Sequence, residues 1–383
     1  MVTTSRRTTD VPEMTKLPLS TRSLSNLTVC PFDGPFPRKS CAYRSCENCG
    51  VEKALQTFFE QAKSSQATLK WQHHETVRRE IAKKDGSGLK IAYKADDVDK
   101  AGSAAEFLDE LSSDLDDFAR HQFVCDWQRS QYGELKNKLP DNDAIMVLDY
   151  SENYSPTRFE TTTSSHFSQK QITLFPVMVY RKEKSQDRHT QDTIPGHLVK
   201  EGVYVISDDL QHDNQAITSF KKAILDKYKE EGISFTHLHE FTDGAASQFK
   251  SRKAAYNIFA HESELKVTVT RNFWESYEGK GDFDSLGAVP KKSAQMHNLN
   301  HPEDPIYSTE KFHEFCQSKL SKVHRSEINR RLFILVKAAD LNRDESRAFI
   351  VLPVKVSLNV KHQLSADSGS VYIPSFPFSF YIR

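Results

Sequence analysis

Short runs of consecutive apolar residues characterise the middle of the chain. A run of this kind, ended by polar or turn-forming residues, predicts a strand that is buried on both faces. The first run is Ala144–Leu148, which leads directly into Asp149 and a polar turn. Four more predicted strands follow it, at Gln171–Arg181, Gly202–Asp209, Ser234–Gly244 and Leu265–Phe273. Pro176 lies inside the second strand and indicates a bulge or a sheet edge there.

Helical periodicity alternates with the later strands. Asp213–Glu231 repeats apolar residues at helical spacing, with Asp213 or Asn214 available as its N-cap and Gly232 as its end. Ser247–His261 has the same periodicity, and Ser285–Met296 is a third predicted helix although it contains Pro290. His212 precedes the first of these helices, and we expect it to be a helix-start or surface residue.

Three successive strands followed by helix, strand, helix, strand and helix form the order of a ribonuclease H-like fold. We therefore predict an α/β domain over residues 140–296, with a mixed five-stranded sheet flanked by helices. In this topology the first and fourth strands lie side by side in the centre of the sheet.

Residues 30–139 are predicted to contain a helical domain. Val51–Lys70 has a repeating apolar face that predicts a helix. We predict that the helix continues through Trp71–Lys84 with more polar residues. Leu89–Tyr93 is a short strand or an extended arm, and a long helix covers Ala104–Phe123 and continues towards Leu139.

The two ends of the chain differ from this core. Residues 1–29 are rich in Ser, Thr and Arg, and we expect a disordered tail. Residues 297–383 form a predicted C-terminal extension with a helix at Thr309–Val323 and strands at Arg331–Lys337 and Phe349–Ser357, arranged as a hairpin.

Composition limits the possible functions of the chain. Among 383 residues, Lys plus Arg and Asp plus Glu each number 52, so the formal net charge is zero. Any contact with nucleic acid must therefore come from local basic patches instead of a domain-wide field. No run of eighteen apolar residues is present, so we expect no membrane partner.

Four of the six cysteines lie close together in the sequence. Cys46 and Cys49 form a Cys-x-x-Cys pair followed by Gly50, which is a common half of a tetrahedral zinc site. Cys41 and Cys30 can complete such a site, although the spacing is not that of a standard finger, and reduced loop cysteines are the alternative. His73 and His74 are further possible ligands. We predict a structural Zn²⁺ at Cys30, Cys41, Cys46 and Cys49.

Carboxylates end three of the predicted strands. Asp208 and Asp209 end the third, and we expect them to cap the following helix instead of binding metal. Asp149 ends the first and Asp243 ends the fourth, so the predicted sheet brings them together. A pair of carboxylates with a third acid can hold two Mg²⁺ (or Mn²⁺) ions for phosphodiester chemistry. The third acid is expected after the fifth strand, where Asp284 is the first candidate and Glu278 and Asp282 are rivals.

Several segments around these acids resemble a group of eukaryotic transposon-derived proteins with a ribonuclease H-like, integrase-type core. The resembling segments are Val147–Tyr154, Ile206–Asp213, Phe241–Lys250 and Gly279–Asp284. The resemblance implies a catalytic, metal-binding triad of Asp149, Asp243 and Asp284, and DNA contacts from Gln248, Lys250 and Lys280. Two features depart from the pattern. Glu278 replaces the usual His, and Ser285–Ala288 replaces a glycine-rich turn.

The expected function is accordingly DNA cleavage and strand transfer by a transposase- or integrase-type enzyme in the nucleus, acting as a homodimer if it is active. The alternative is a catalytically inactive, domesticated descendant that binds DNA or a protein partner. A third hypothesis makes the cysteines and the helical region a protein-interaction module, with the sheet as its scaffold.

Overall fold

A computed structural model of the chain describes residues 20–82, 88–156, 171–184, 196–243, 248–249, 254, 258, 265–274, 284–323 and 328–341. The chain divides into two compact units, Met1–Trp127 and Gln128–Arg383. Within the described ranges, no helix combines the length and the apolar character that a membrane span requires. The predicted domain limits at residues 29, 139 and 296 stay predictions.

The described part of the first unit contains helix α1 at Thr21–Leu27, in a segment that we predicted to be disordered. The Ser20 side chain caps α1 by accepting a hydrogen bond from the Ser23 backbone N–H at 3.1 Å. Leu24 packs against the buried cluster that contains Leu55 and Leu115. The helix is therefore stabilised by a cap and by packing on distant residues. Helices α2 (Lys39–Ala42) and α3 (Val51–Ser64) follow.

A long β-hairpin follows α3 and corrects the prediction of a helix at Trp71–Lys84. Strand β1 (Thr68–Ala82) pairs antiparallel with β2 (Leu89–Ser103), each of 15 residues. Alternate residues of β1 from Leu69 to Val77 are partly covered, which is the period of a strand. The Trp71 ring meets Phe107 edge-on at 5.5 Å, so this covered face packs on the following helix. That helix, α4, runs from Ala104 to Asn137, and a long helix was predicted here.

The second unit contains a six-stranded mixed sheet flanked by helices, which confirms the predicted α/β class. Its spatial order is β7-β6-β3-β4-β5-β8. Strand β4 runs antiparallel to β3 and β5, and the other five strands share one direction. The strands are β3 (Asp143–Leu148), β4 (Thr173–Lys182), β5 (Leu198–Ser207), β6 (His237–Thr242), β7 (Thr268–Phe273) and β8 (Arg330–Val336).

The sixth strand, β8, comes from the segment that we predicted as a C-terminal extension. It pairs in parallel with β5 and so extends the sheet beyond the five predicted strands. The predicted hairpin partner at Phe349–Ser357 lies outside the described residues.

Among the described residues, helices α5 (Asn214–Glu230), α6 (Asp284–Asn300) and α7 (Thr309–Leu320) lie in the second unit, as does the C-terminal part of α4. Asp213 is the N-cap of α5, since its carboxylate accepts from the Ala216 N–H at 2.9 Å. Gly232 ends this helix with a φ of +79°, a conformation that glycine adopts without strain. Apolar residues of α5, such as Phe220 and Ile224, are fully buried in the core between helix and sheet.

Pro176 lies in an internal strand, not in the bulge or edge that we predicted. It pairs with Tyr204 of β5 in the register of β4, but the pairing of β4 with β3 ends one residue away, at Val177 and Leu148. Because β3 and β4 are not paired at this position, the missing N–H of the proline removes no hydrogen bond between these two strands. Pro176 lies beside the end of β3, close to the first turn of α6.

Candidate functional site

Two of the predicted acids follow neighbouring strands at one edge of the sheet. Strands β3 and β6 are parallel and in register, and their last pair is Leu148 with Thr242. Asp149 and Asp243 are the next residues, and both are half-buried. Because adjacent strands lie about 4.8 Å apart, the two backbones are neighbours at this position. The fold thus brings together two residues that are far apart in the sequence, as the strand order predicted.

The third predicted acid, Asp284, is the first residue of α6, and only its backbone is described. The first turn of α6 lies against the loop that follows Asp149. A Cβ atom on Gly287 would lie 2.5 Å from the Ser151 Oγ, and Lys291 Nζ donates to the Glu152 carbonyl at 2.8 Å. Asp149, Asp243 and the first turn of α6 are called the acidic edge below. The rival acids Glu278 and Asp282 lie outside the described residues.

The loop after Asp149 is held by contacts that sequence patterns did not reveal. The Tyr150 ring stacks on His212 at 4.2 Å between centroids, with an interplanar angle of 11°. His212 Nε2 lies 2.9 Å from Asn153 Oδ1, and burial lowers the pKa of this histidine. His212 is therefore half-buried against the loop that follows Asp149. It directly precedes the N-cap of α5, which fits the expected helix-start position and not a surface position. Its partners are distant in sequence, so no local pattern marks them.

The predicted DNA-contacting residues are only partly described. Gln248 accepts a hydrogen bond at its backbone carbonyl from Asn214 Nδ2 at 2.9 Å, which ties it to the first residue of α5. Phe249 beside it is buried. Lys250 and Lys280 lie outside the described residues. A role of Gln248, Lys250 and Lys280 in DNA binding remains a prediction.

A buried ion network supports the strand that leads to Asp243. Glu240 of β6 accepts from Arg271 Nε of β7 at 2.9 Å and forms an ion pair with Lys221 of α5. Burial by itself would raise the pKa of Glu240, but the positive charges of Lys221 and Arg271 outweigh burial and lower it to about 2. The network therefore joins α5, β6 and β7 through a carboxylate that stays ionised.

The first unit brings the four predicted cysteines together. The sulfur atoms of Cys30, Cys41, Cys46 and Cys49 all lie within 4.8 Å of one another, and we call this group the cysteine cluster. Four thiolates at such distances can hold a tetrahedral metal ion. The positive φ of 58° at Arg44 turns the chain between Cys41 and Cys46.

Arg44 also fixes the loop that carries the cysteine cluster. Its guanidinium donates to the Thr28 and Leu115 carbonyls at 2.9 and 3.0 Å and pairs with Asp116 at 2.8 Å. A hydrogen bond from the Asn48 backbone N–H lowers the pKa of Cys46 to about 7. Part of the cluster therefore reaches the thiolate form, which is the metal-binding form, near neutral pH.

His73 and His74, the alternative ligands, are engaged elsewhere. His73 groups with Glu75 and Glu110, and the Lys100 ammonium lies 3.0 Å from Glu75 and 3.3 Å from His73 Nδ1. A lysine thus supplies the positive charge among these side chains. His74 pairs with Asp97 at 2.8 Å on the exposed side of the hairpin.

Comparison with known proteins gives one family match. The model of a family described as "Domain of unknown function (DUF8701)" matches residues 128–351, which begin where the second compact unit begins. No curated protein matches the chain.

One solved structure has a low similarity to the chain. It is the cryo-EM structure of the simian T-cell lymphotropic virus intasome in complex with PP2A regulatory subunit B56 gamma. The sequence identity is 11%, the match covers 50% of this chain and 52% of that chain, and the TM-score is 0.28. This chain thus spans about half the length of the matched chain. A similarity at this level supports no statement about function.

Proposed function

The chain belongs to the family described as "Domain of unknown function (DUF8701)", whose description gives no activity, and we propose that it is a metal-dependent polynucleotidyl transferase of the integrase type. Its substrate is DNA, and its reaction is phosphodiester cleavage followed by strand transfer. Asp149, Asp243 and Asp284 are the proposed metal-binding acids of this reaction.

The observation that carries this proposal is the parallel, in-register pairing of β3 with β6. It brings the backbones of Asp149 and Asp243 side by side at the end of two central strands, where open α/β sheets bind ligands. The contact between Gly287 and Ser151 adds the first turn of α6, and with it the backbone of Asp284, to the same edge. These backbone positions support the proposal that acids from three separate elements act at one place.

Carboxylates at this position suit Mg²⁺ or Mn²⁺, since these ions take oxygen ligands and keep several of their waters. Bound metal would supply the positive charge that activates the attacking oxygen and stabilises the leaving oxygen of a phosphodiester. The protein's own contribution is to hold the acids in position. The stack of Tyr150 on His212 and the buried network of Glu240 support Asp149 and Asp243, respectively.

The proposal is tested by replacing each acid with its amide. We expect Asp149→Asn, Asp243→Asn and Asp284→Asn each to lower Mg²⁺-dependent nicking of supercoiled DNA by about 100-fold or more, because each loses a negatively charged metal ligand. Asp226→Asn is the matched control, since Asp226 is an exposed residue of α5 that pairs with Lys222. Nicking by Asp149→Asn at the rate of the unchanged protein would exclude the proposed role.

The second candidate function is an inactive descendant that keeps the fold and binds DNA or a protein partner. It is favoured by Glu278, which stands where the resembling proteins have histidine, and by Ser285–Ala288 in place of a glycine-rich turn. Calorimetry with Mg²⁺ and Mn²⁺ separates the two functions. If the protein is an active enzyme, it binds the metal ion, and Asp149→Asn abolishes this binding. If it is an inactive descendant, it binds DNA but does not bind the metal ion at this site.

For the cysteine cluster we propose a structural zinc ion. Four sulfur ligands leave no open position for a substrate, which is typical of structural zinc sites. The convergence of all four sulfur atoms supports this assignment. The test is to measure the zinc content of the purified full chain and of Cys46→Ser. We expect zinc in the first and not in the second.

A further inference from the structure

A second group of potential metal ligands lies at the N-terminal ends of β3 and β6, whereas the acidic edge lies at their C-terminal ends. Asp143 begins β3 and is paired in register with His237, which begins β6. His239 lies two residues further along β6 and therefore on the same face of the sheet as His237. We call Asp143, His237 and His239 the histidine cluster.

The distances within the histidine cluster fit a single metal ion. Asp143 Oδ2 lies 3.3 Å from His239 Nε2 and 3.8 Å from His237 Nδ1, and one ligand atom of each residue lies within 4.8 Å of the others. Zinc binds nitrogen and oxygen at 2.0–2.2 Å, so its tetrahedral ligands are separated by about 3.4 Å. The two distances from Asp143 to the histidines are thus close to this value, and the third distance is no greater than 4.8 Å.

Hydrogen bonds outside the cluster orient two of its members. His237 Nε2 lies 2.8 Å from Thr270 Oγ1, so a proton on Nε2 can be donated to this hydroxyl and leave Nδ1 free to bind metal. The Thr236 hydroxyl lies 3.3 Å from both the Asn142 carbonyl oxygen and Asp143 Oδ1, so it can donate to either of them. Such bonds are typical of metal ligands, because they hold the ring or carboxylate in the binding orientation.

Exposure and composition also favour a metal site. The side chains of Asp143 and His239 are 12% and 11% exposed, whereas that of His237 is 29% exposed and offers access to an ion. The group around His73 is different, because there the ammonium of Lys100 contacts both the histidine and Glu75. In the histidine cluster the converging atoms are two ring nitrogens and one carboxylate oxygen, a ligand set that zinc uses.

We propose that Asp143, His237 and His239 bind a divalent transition metal ion of the zinc type. Three protein ligands leave a fourth position for water or another small ligand. The ion joins β3 to β6 at their N-terminal ends, about 20 Å along the strand from Asp149. It is a site separate from the acidic edge and from the cysteine cluster, and it does not depend on the proposed DNA chemistry.

The test is a titration of the metal-free full chain with Co²⁺, followed by absorption spectroscopy. Cobalt at the cysteine cluster gives a thiolate charge-transfer band, whereas cobalt at the histidine cluster gives weak visible bands without it. We expect both signals in the unchanged protein. His237→Gln and His239→Gln should each lose the second signal and keep the first, and His197→Gln, at an exposed histidine, should keep both.

Two further measurements keep the outcome decisive. Cobalt bound at the acidic edge is identified by its loss in Asp149→Asn, which should leave the histidine-cluster signal unchanged. X-ray absorption of the unchanged, cobalt-loaded protein shows whether imidazole nitrogen is among the ligands, and this result does not require any variant to fold. Absence of imidazole ligation, or a visible signal that survives both histidine substitutions, would overturn the proposal.

Discussion

At the scale of single residues, the buried charges of the second unit illustrate how position decides the effect of a side chain. Glu240 is fully buried and accepts from Arg271 while pairing with Lys221. A second buried carboxylate, Glu201, accepts from Arg181 at 2.7 Å and from the Tyr228 hydroxyl at 2.6 Å. Each carboxylate joins separate elements, so removing it leaves buried positive charge without its partner.

We predict that Glu240→Gln lowers the free energy of unfolding at pH 7 by about 3–5 kcal/mol, because it leaves Lys221 and Arg271 buried without a negative partner. Urea unfolding measures the change. The matched control is Glu230→Gln on α5, where the carboxylate is 68% exposed and pairs only on the surface with Lys227. The control should change stability by no more than about 0.5 kcal/mol. Equal losses in the two variants would contradict the prediction.

The same residue gives a signed pH dependence. The pKa of Glu240 is about 2 in the folded protein, below its ordinary value of 4.5. Its ionised form therefore contributes stability that is fully present above pH 4.5 and is lost as the pH falls towards 2. The stability difference between the unchanged protein and Glu240→Gln should shrink over this range. A constant difference from pH 7 to pH 2.5 would show that Glu240 is not the responsible group.

At the scale of elements, the position of α6 depends on a close approach that only glycine allows. A Cβ on Gly287 would meet the Ser151 Oγ at 2.5 Å and its Cβ at 3.0 Å. The hydroxyl can rotate away, but the Cβ can move only with its backbone. A larger residue at position 287 must therefore push the first turn of α6 away from the loop that follows Asp149.

We predict that Gly287→Ala destabilises the protein by about 1–3 kcal/mol, since the overpacking cost exceeds the gain in helix propensity. It should also lower nicking, because Asp284 begins the displaced turn. Gly133→Ala is the matched control: Gly133 lies in helix α4 with nothing within 4 Å of an added Cβ. That substitution should stabilise the protein by about 0.5–1 kcal/mol. Thermal unfolding and a nicking assay measure the two effects.

A double variant tests the physical cause. Ser151→Gly removes both of the atoms that an added Cβ on Gly287 would meet most closely. Combined with Gly287→Ala, it should therefore recover a large part of the lost stability and nicking. If the two substitutions were simply additive, the contact between α6 and the loop would not be the reason for the effect.

At the scale of the whole molecule, the chain has two compact units, and each proposed metal site draws its ligands from a single unit. All four members of the cysteine cluster belong to Met1–Trp127, whereas the acidic edge and the histidine cluster belong to Gln128–Arg383. Metal removal is therefore expected to act on each unit separately.

We predict that removing zinc from the cysteine cluster unfolds the surrounding segment but leaves the sheet folded. Binding to a structural zinc site is worth on the order of 10 kcal/mol at pH 7, so its loss should exceed the stability of the loops that it joins. Hydrogen exchange should rise over residues 28–64 and stay unchanged in β3–β8. Cys46→Ser should behave like the zinc-free protein, and Cys125→Ala, at a buried cysteine outside the cluster, should retain the metal. A uniform rise in exchange along the chain would contradict this expectation.

Local sequence patterns determined a large part of the second unit. The apolar runs at Ala144–Leu148 and Gly202–Ser207 indicated strands because a side chain's polarity reports whether it will be buried. The capping residue Asp213 and the terminating Gly232 marked α5, since helix ends need these residue types. The positions of Asp149 and Asp243 at strand ends, and the grouping of four cysteines, were also readable from the sequence.

Tertiary structure decided the features that depend on distant partners. Trp71 lies in a strand because its partner strand and the helix that covers it come from later parts of the chain. His212 lies beside Tyr150, and Asp143 beside His237, through packing and strand register that neither segment encodes alone. The physical reason is that periodicity records whether a residue is buried, whereas the choice of which distant segment covers it is made by the packing of the whole unit.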